Sequence, residues 1–253
     1  MKGKHIVFFG FLLIIHLFFL VNLQFTAWPE MISFPYLINH GFVLYKDAIH
    51  AYPPLLVSML AILFKIFGYK LIALQIFAWV SILISDLLVY LIVIKLTKNK
   101  TSALLGVFLL VLLQPFLQGN MAWPDINLVP FVLCAFYFLI NKKYFWSGVF
   151  IALACLVKQT ALLYIVYGLP AIAYGVRRWQ AGILYYLSGI LVVFSPFVLW
   201  LLKNNSFLDF INWTIVYPSK YWTGFPGYVN ALPSKHEILI IFLLISPSLF
   251  LVI

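Results

Sequence analysis

Charged side chains are scarce in this sequence. Of its 253 residues, 9% are Asp, Glu, Lys or Arg, whereas 65% are hydrophobic. A soluble domain carries roughly 25% charged residues, so this chain lacks the polar surface that a water-soluble fold needs. A helical membrane span takes about 20 apolar residues, which leaves room for about seven to nine spans. Because lipid excludes open sheet edges, the composition predicts an all-α fold, a polytopic membrane helix bundle.

Acidic residues are rarer still, six against 16 Lys and Arg, which gives a net charge of +10. The basic residues form short clusters between apolar runs rather than one basic face with interleaved aromatics, so no nucleic-acid partner is expected. The two cysteines, Cys134 and Cys155, lie inside apolar runs, which argues against a disulfide or a metal role. The sequence also has no P-loop, GxGxxG, HExxH or CxxC motif.

The first apolar run, residues 6–21, follows a basic N-terminus and has no small-x-small cleavage site behind it. It therefore predicts an uncleaved signal anchor with a cytoplasmic N-terminus. Further apolar runs predict the remaining helices, at residues 71–94, 103–117, 126–140, 144–157, 161–174, 183–202 and 238–253.

Residues 24–70 form a long first loop. Within it, Leu55–Phe67 is apolar but only 13 residues long, too short for a full crossing, and predicts an interfacial helix begun by Pro53 and Pro54. If it does not cross, every tight basic cluster falls on the cytoplasmic side, as the positive-inside rule requires. These residues are Lys2, Lys4, Lys95, Lys98, Lys100, Lys142, Lys143, Arg177 and Arg178. Lys46 and residues 203–237 then lie outside.

Among the charged residues on the outer side in this topology, Glu30, Asp47, Asp125 and Lys158 stand out as candidate site residues. A lysine at interface depth suits a lipid phosphate. Carboxylates beside it could deprotonate an acceptor hydroxyl or bind a divalent metal. Charges near a bilayer need water, a partner or a ligand, so we expect all four to approach one outward-facing cavity. Solvated loop carboxylates and a lysine that snorkels to the interface are the alternative interpretation.

Asp86 lies near the middle of a predicted span. A carboxylate there is costly in lipid and must face a partner or a cavity, so a structural pair is expected rather than a catalytic role. His16, also in an apolar run, predicts a buried polar contact within the bundle.

The first loop carries an ordered set of motifs. The run from Phe34 to Asp47 reads FPYLINHGFVLYKD, and it is followed by Pro53-Pro54 and Phe67-Gly68. Further on stand WPD, which ends at Asp125, and LVKQT, which contains Lys158. Over about residues 1–200 this set resembles the GT-C glycosyltransferases, most closely the branch of the dolichyl-phosphate-mannose protein mannosyltransferases and lipid A aminoarabinose transferases.

The resemblance implies an inverting glycosyltransferase at the outer face of the cell membrane. Its donor would be a polyprenyl-phosphate-linked sugar and its acceptor a lipid, glycan or protein. Family members usually carry an adjacent Asp-Glu where this chain has only Glu30, so the resemblance leaves Glu30 or Asp47 as the base. It makes Asp125 an acceptor- or metal-positioning carboxylate and Lys158 the contact to the donor phosphate, with a divalent metal as a candidate cofactor.

Family members are about twice as long, so residues 1–253 are expected to form a single transmembrane domain, the N-terminal part of a longer architecture. Two other functions stay open. A transporter or lipid flippase would show paired broken helices in two related halves with midplane charges. The third alternative is a catalytically silent membrane scaffold.

Overall fold

The computed structural model describes residues 2–117, 119–175 and 179–221, and most of these residues are helical. No β-strand occurs in these ranges, which confirms the all-α prediction. The helices are α1 (Lys2–Asn22), α2 (Glu30–Asn39), α3 (Leu55–Phe67), α4 (Leu71–Thr97), α5 (Lys100–Leu117), α6 (Pro124–Ile140), α7 (Tyr144–Val157), α8 (Leu162–Gly175), α9 (Trp179–Lys203), α10 (Phe207–Ile211) and α11 (Tyr217–Tyr221).

Among the described helices, four are long and apolar enough to cross a membrane: α4, α5, α9 and the Gly3–Asn22 part of α1. The three helices α6, α7 and α8 are apolar but have only 17, 14 and 14 residues. Their crossing remains a prediction. The predicted span at residues 238–253 and the cluster Arg177-Arg178 lie outside the described residues.

The helices alternate in direction, so the bundle has two ends with different chemistry. Near the start of α1, Phe9 stacks on Tyr90 of α4 with ring centroids 4.5 Å apart, which puts the start of α1 beside the last turns of α4. Helices α4 and α6 run in the same direction. The turns that follow them, which lead to α5 and α7 and carry lysine clusters, therefore lie at the same end of the bundle. The opposite end, where α6 begins and α7 ends, is called the site end below.

Helix α3 begins and ends at the site end. One apolar cluster joins Leu56 and Phe64 of α3 to Leu74, in the first turn of α4, and to Val157, the last residue of α7. At about 1.5 Å per residue, 13 residues reach about 20 Å, well short of a hydrocarbon core of about 30 Å. The bounds of α3 agree with the predicted Leu55–Phe67, and its interfacial position remains a prediction.

The first loop contains a helix that the sequence did not predict, α2. Its apolar pattern is short and Pro35 interrupts it, yet the helix forms because Met31 and Pro35 are buried. Asn39, at its end, donates a hydrogen bond to the carbonyl oxygen of Ala61 in α3 at 2.9 Å. Helix α2 therefore lies against α3 and extends the structured part of the loop.

A buried polar chain joins α1, α4 and α5. The Nδ1 atom of His16 lies 2.7 Å from Oδ2 of Asp86, and both side chains are fully buried. The Nε2 atom of His16 lies 3.2 Å from Oε1 of Gln114. Asp86 and His16 thus meet each other, which confirms the expected pairing of Asp86 and the buried contact of His16. One proton shared between the imidazole and the carboxylate leaves this pair without net charge, which lowers its cost in an apolar bundle.

Candidate functional site

Lys158 and Asp125 form an ion pair at the site end, with Nζ 2.5 Å from Oδ1. The lysine side chain is 18% exposed and the aspartate side chain 54% exposed. A partly solvated pair of this kind contributes only about 0–1 kcal/mol to stability. The fold does not depend on it, so both groups are available to a ligand at the surface.

Backbone geometry places the two charges at complementary helix ends. Asp125 lies in the first turn of α6, after Trp123 in extended conformation and Pro124 at the first helical position. Lys158 is the extended residue between the end of α7 and the 3-10 turn Gln159–Ala161. A carboxylate at a helix N-terminus and an ammonium at a C-terminus are both stabilised by the helix dipole.

Aromatic rings surround this ion pair. The Nζ atom of Lys158 lies 5.9 Å from the ring centroid of Tyr52, within the range of a cation–π contact. The Tyr52 ring meets Trp123 edge-on at 5.8 Å, and Trp123 packs against Trp28 at 4.9 Å. The aromatic cluster Trp28, Tyr52 and Trp123 therefore links the first loop to the start of α6.

Glu30 begins α2, two residues after Trp28 of this aromatic cluster. Its Oε2 atom is buried and makes no hydrogen bond to any described residue. A carboxylate oxygen held from water without a donor is costly unless a proton or a ligand reaches it. Glu30 therefore offers a ligand one carboxylate oxygen that has no hydrogen-bond donor among the described residues.

Asp47 has a structural contact that the sequence analysis did not include. Its Oδ2 atom accepts a hydrogen bond from the backbone N–H of Val43 at 2.8 Å. Between them Tyr45 has a φ of 72°, a left-handed conformation that is costly for a bulky residue. The Asp47 carboxylate thus stabilises a strained turn.

Gln159 ties the site to two other segments. Its Nε2 atom donates to the carbonyl oxygen of Ala51 at 3.1 Å and to that of Thr214 at 3.0 Å. Ala51 precedes Tyr52, and Thr214 lies in the π-helical segment Asn212–Val216. The neighbour of Lys158 therefore holds the first loop and the segment after α9 at the site end.

Burial shifts the pKa of two loop residues close to the site. The imidazole of His50 is 3% exposed, its ring lies 4.5 Å from that of Phe34, and burial lowers its pKa to about 4. Burial also raises the pKa of Tyr45 well above its usual value, and its hydroxyl donates to the carbonyl oxygen of Tyr52 at 2.9 Å. Both side chains are therefore neutral at pH 7 and act through packing and hydrogen bonding.

An apolar cavity of about 260 Å³ lies between α3, α4, α6 and α7. Val157, which precedes Lys158, and Asn127, which follows Asp125 by two positions, line it. Asn127 is 2% exposed, and its Oδ1 atom makes no hydrogen bond within the described ranges. Sequence neighbours of both ion-pair residues thus line a cavity that offers room for an apolar group.

The four residues singled out by the sequence differ in placement. Asp125 and Lys158 meet directly, and the hydrogen bond of Asp47 stays within its own turn. Glu30 follows Trp28, a member of the aromatic cluster, by two positions. Sequence reasoning missed Tyr52 and Gln159, although both stand next to motif residues. Among the described residues, no three His, Cys, Asp or Glu side chains come together as a metal site.

Comparisons with known proteins identify the family. No curated protein and no solved structure gave a significant match. The model of the dolichyl-phosphate-mannose-protein mannosyltransferase family matches residues 51–200, which include Asp125 and Lys158 but not Glu30 or Asp47. This match covers 150 of the 253 residues, and α1, α4, α5 and α9 are suited to crossing a membrane. The chain is a multi-pass membrane protein of the dolichyl-phosphate-mannose-protein mannosyltransferase family.

Proposed function

We propose that this protein transfers a sugar from a polyprenyl-phosphate donor to an acceptor hydroxyl at the non-cytoplasmic face of the membrane. The observation that carries the proposal is the ion pair of Lys158 and Asp125 beside an apolar cavity. A lipid-phosphate donor has one anionic group and one long apolar chain. The site end offers a cation for the first and an apolar surface for the second.

Lys158 is the proposed contact to the donor phosphate. An ammonium group has three N–H donors, and Asp125 accepts one of them in this structure. The other two can reach phosphate oxygens, since a lysine binds phosphate as a point charge. As the sugar leaves, negative charge grows on the phosphate, so the same contact stabilises the transition state.

Glu30 is the proposed base, in preference to Asp47. Its buried oxygen without a hydrogen-bond donor suits proton acceptance, whereas the carboxylate of Asp47 already accepts a bond from a backbone N–H. In the proposed step the acceptor hydroxyl gives its proton to Glu30, and its oxygen bonds to the anomeric carbon. The bond from that carbon to the phosphate oxygen breaks, and polyprenyl phosphate leaves. Attack opposite the leaving group inverts the anomeric centre.

Asp125 is proposed to position the acceptor. Its side chain is the more exposed member of the ion pair, and it stands at the mouth of the site, next to Trp123. A carboxylate there can accept hydrogen bonds from sugar or acceptor hydroxyls. It also keeps the ammonium of Lys158 directed toward the site before the donor arrives.

Binding of a phosphorylated lipid tests the role of Lys158. The full chain in nanodiscs is titrated with polyprenyl phosphate and, separately, with the uncharged polyprenol. We expect the wild type to prefer the phosphate, and Lys158→Ala to lose about 1.5–3 kcal/mol of that preference, as for hydrogen bonds to a charged group. Because the ion pair contributes little to stability, the variant should unfold within a few degrees of the wild type.

The matched control is Lys46→Ala, which removes an exposed lysine from the first loop. It should leave the preference for polyprenyl phosphate unchanged, whereas Lys158→Arg should retain most of it. Equal binding of polyprenyl phosphate by the wild type and Lys158→Ala would contradict the assignment.

A further inference from the structure

A short segment between α5 and α6, residues 119–123, leads directly into the turn that carries Asp125. Its backbone is attached to the end of α1, because Thr26 pairs with Met121 and the N–H of Thr26 donates to the carbonyl oxygen of Asn120 at 2.9 Å. Trp28 adds a contact from its indole Nε1 to the sulfur of Met121 at 3.2 Å. The start of α6 is therefore located relative to α1 as well as to α5.

Asn120 anchors this segment with a side chain that is only 4% exposed. Its Nδ2 atom donates to the carbonyl oxygens of Leu20 at 2.7 Å and Leu23 at 3.1 Å. Carbonyl groups in the last turn of a helix have no partner within the helix, so Asn120 caps α1. Its Oδ1 atom accepts a bond from the indole Nε1 of Trp79 at 2.9 Å, which adds α4.

Gln114 provides a second anchor from inside the bundle. Its Nε2 atom donates to the carbonyl oxygen of Gly119 at 3.0 Å, so its Oε1 atom is the one that faces His16. The chain of contacts runs from Asp86 through His16 and Gln114 to Gly119. Gly119 itself has a φ of 81°, a conformation that suits glycine and sets the direction of the segment.

We propose that Asn120 and Gln114 are positioning residues for Asp125, an inference that rests on the proposed function. Together they tie α1, α4 and α5 to the segment that begins α6, although neither approaches Lys158 in the described contacts. Buried amides are costly unless fully bonded, and apolar packing alone could join α5 to α6. The two amides additionally fix the position of the first turn of α6. They thereby fix the distance from Asp125 to the end of α7.

The role predicts a division between binding and turnover. Lys158 directly follows α7 and keeps its place when the segment loosens. Asn120→Ala should therefore bind polyprenyl phosphate within about twofold of the wild type, because a point-charge contact tolerates small shifts. The transfer rate constant kcat should fall roughly 10–100-fold, the effect of a displacement on the order of 1 Å in a reacting group. Loss of fold would instead abolish both properties.

The matched control is Asn22→Ala. Asn22 also donates to a carbonyl of α1, that of Phe18 at 2.8 Å, but it is exposed and its side chain makes no hydrogen bond to the described residues 119–123. It should leave both quantities unchanged. If Asn120→Ala does not fold, Trp79→Phe removes the bond to Oδ1 of Asn120 while keeping an aromatic ring, and should show a smaller fall in kcat with unchanged binding. A folded variant with wild-type kcat overturns the proposal.

Cross-linking tests the anchoring by Asn120 independently of sugar transfer. In a Cys134→Ser, Cys155→Ala background, Thr26→Cys and Met121→Cys place two thiols on paired backbone positions, where a disulfide can form. Asn120→Ala should lower the cross-linking yield. If the wild type transfers no sugar but this yield falls, the proposed function fails and the anchoring stands. An unchanged yield overturns the anchoring whatever the activity.

Discussion

The most informative residues of the site are two that are chemically alike but have different surroundings. Glu30 and Asp47 are both carboxylates of the first loop, yet one has a buried oxygen without a donor and the other closes a strained turn. The sequence could not separate them, because both are carboxylates of the same loop and the family resemblance allows either one as the base. Asp47 differs from Glu30 because it closes the turn around Tyr45, and the left-handed conformation of Tyr45 cannot be recognised in the sequence.

At the same scale, the sequence could predict Lys158 and Asp125 because each stands where an apolar run begins or ends. It could not predict Tyr52 and Gln159, because their contacts cross about a hundred positions, as between Gln159 and Ala51. Such contacts depend on how α3 and α7 pack. Aromatic or amide neighbours of motif residues are the only signal that could have indicated them.

His50 should make stability depend on pH. Its folded-state pKa of about 4 lies below the ordinary value of 6.5, so the unfolded chain binds the proton more readily between these values. The free energy of unfolding should therefore fall as pH drops from 6.5 toward 4, by about 3 kcal/mol in total. Thermal unfolding in detergent at pH 7 and pH 4.5 measures this loss.

Substitution of this histidine gives the comparison. His50→Phe keeps a ring against Phe34 and should reduce the pH dependence, while His40→Phe, at an exposed position, should not. Equal pH dependence in the wild type and His50→Phe would show that burial of His50 is not the cause.

At the scale of elements, hydrophobic runs predicted most helices, and α3 and α7 have the predicted bounds. Helix α2 was missed because ten residues with an internal proline give too weak a pattern, and its stability comes from burial against α3. Residues 203–237 were predicted as a polar outer segment. From residue 207 on, their described part forms α10, a π-helical segment and α11, with the carbonyl of Thr214 bonded to Gln159 at the site end. The outer position of this segment remains a prediction.

Helices α7 and α9 pack closely because each presents a glycine to the other. A Cβ atom on Gly148 would lie 2.0 Å from the carbonyl oxygen of Tyr186, and one on Gly189 would lie 2.1 Å from that of Phe145. Backbone atoms cannot turn aside, so Gly148→Ala must push the helices apart. We expect it to lower stability by roughly 1–3 kcal/mol, as overpacked cores do.

The control for this substitution is Gly10→Ala in α1, where a Cβ would meet nothing within 4 Å. Alanine favours a helix over glycine, so this variant should be as stable as the wild type or slightly more stable. Thermal unfolding of both variants decides the matter, and a stable Gly148→Ala would refute the close packing of α7 on α9.

For the whole molecule, the distribution of charge predicts orientation. Lys46 follows Tyr45, whose hydroxyl donates to the carbonyl oxygen of Tyr52 at the site end. Lys98 lies between α4 and α5, at the other end. In a Cys134→Ser, Cys155→Ala background, a membrane-impermeant maleimide added to intact cells should label Lys46→Cys and not Lys98→Cys. The reverse pattern would put the site end in the cytoplasm and contradict transfer at the outer face.

The measurement that tests the central claim most directly is sugar transfer by the full chain in proteoliposomes. Radiolabelled polyprenyl-phosphate-mannose serves as the donor probe and a membrane extract as the source of acceptors, and both labelled product and released polyprenyl phosphate are followed. The account predicts transfer by the wild type, a loss of about 10²–10⁴ in rate for Glu30→Gln, and near wild-type rates for Asp47→Asn, whose side-chain oxygen can still accept the bond from Val43. Full activity in both variants would contradict the proposed mechanism, and loss in Asp47→Asn alone would transfer the role of base to Asp47.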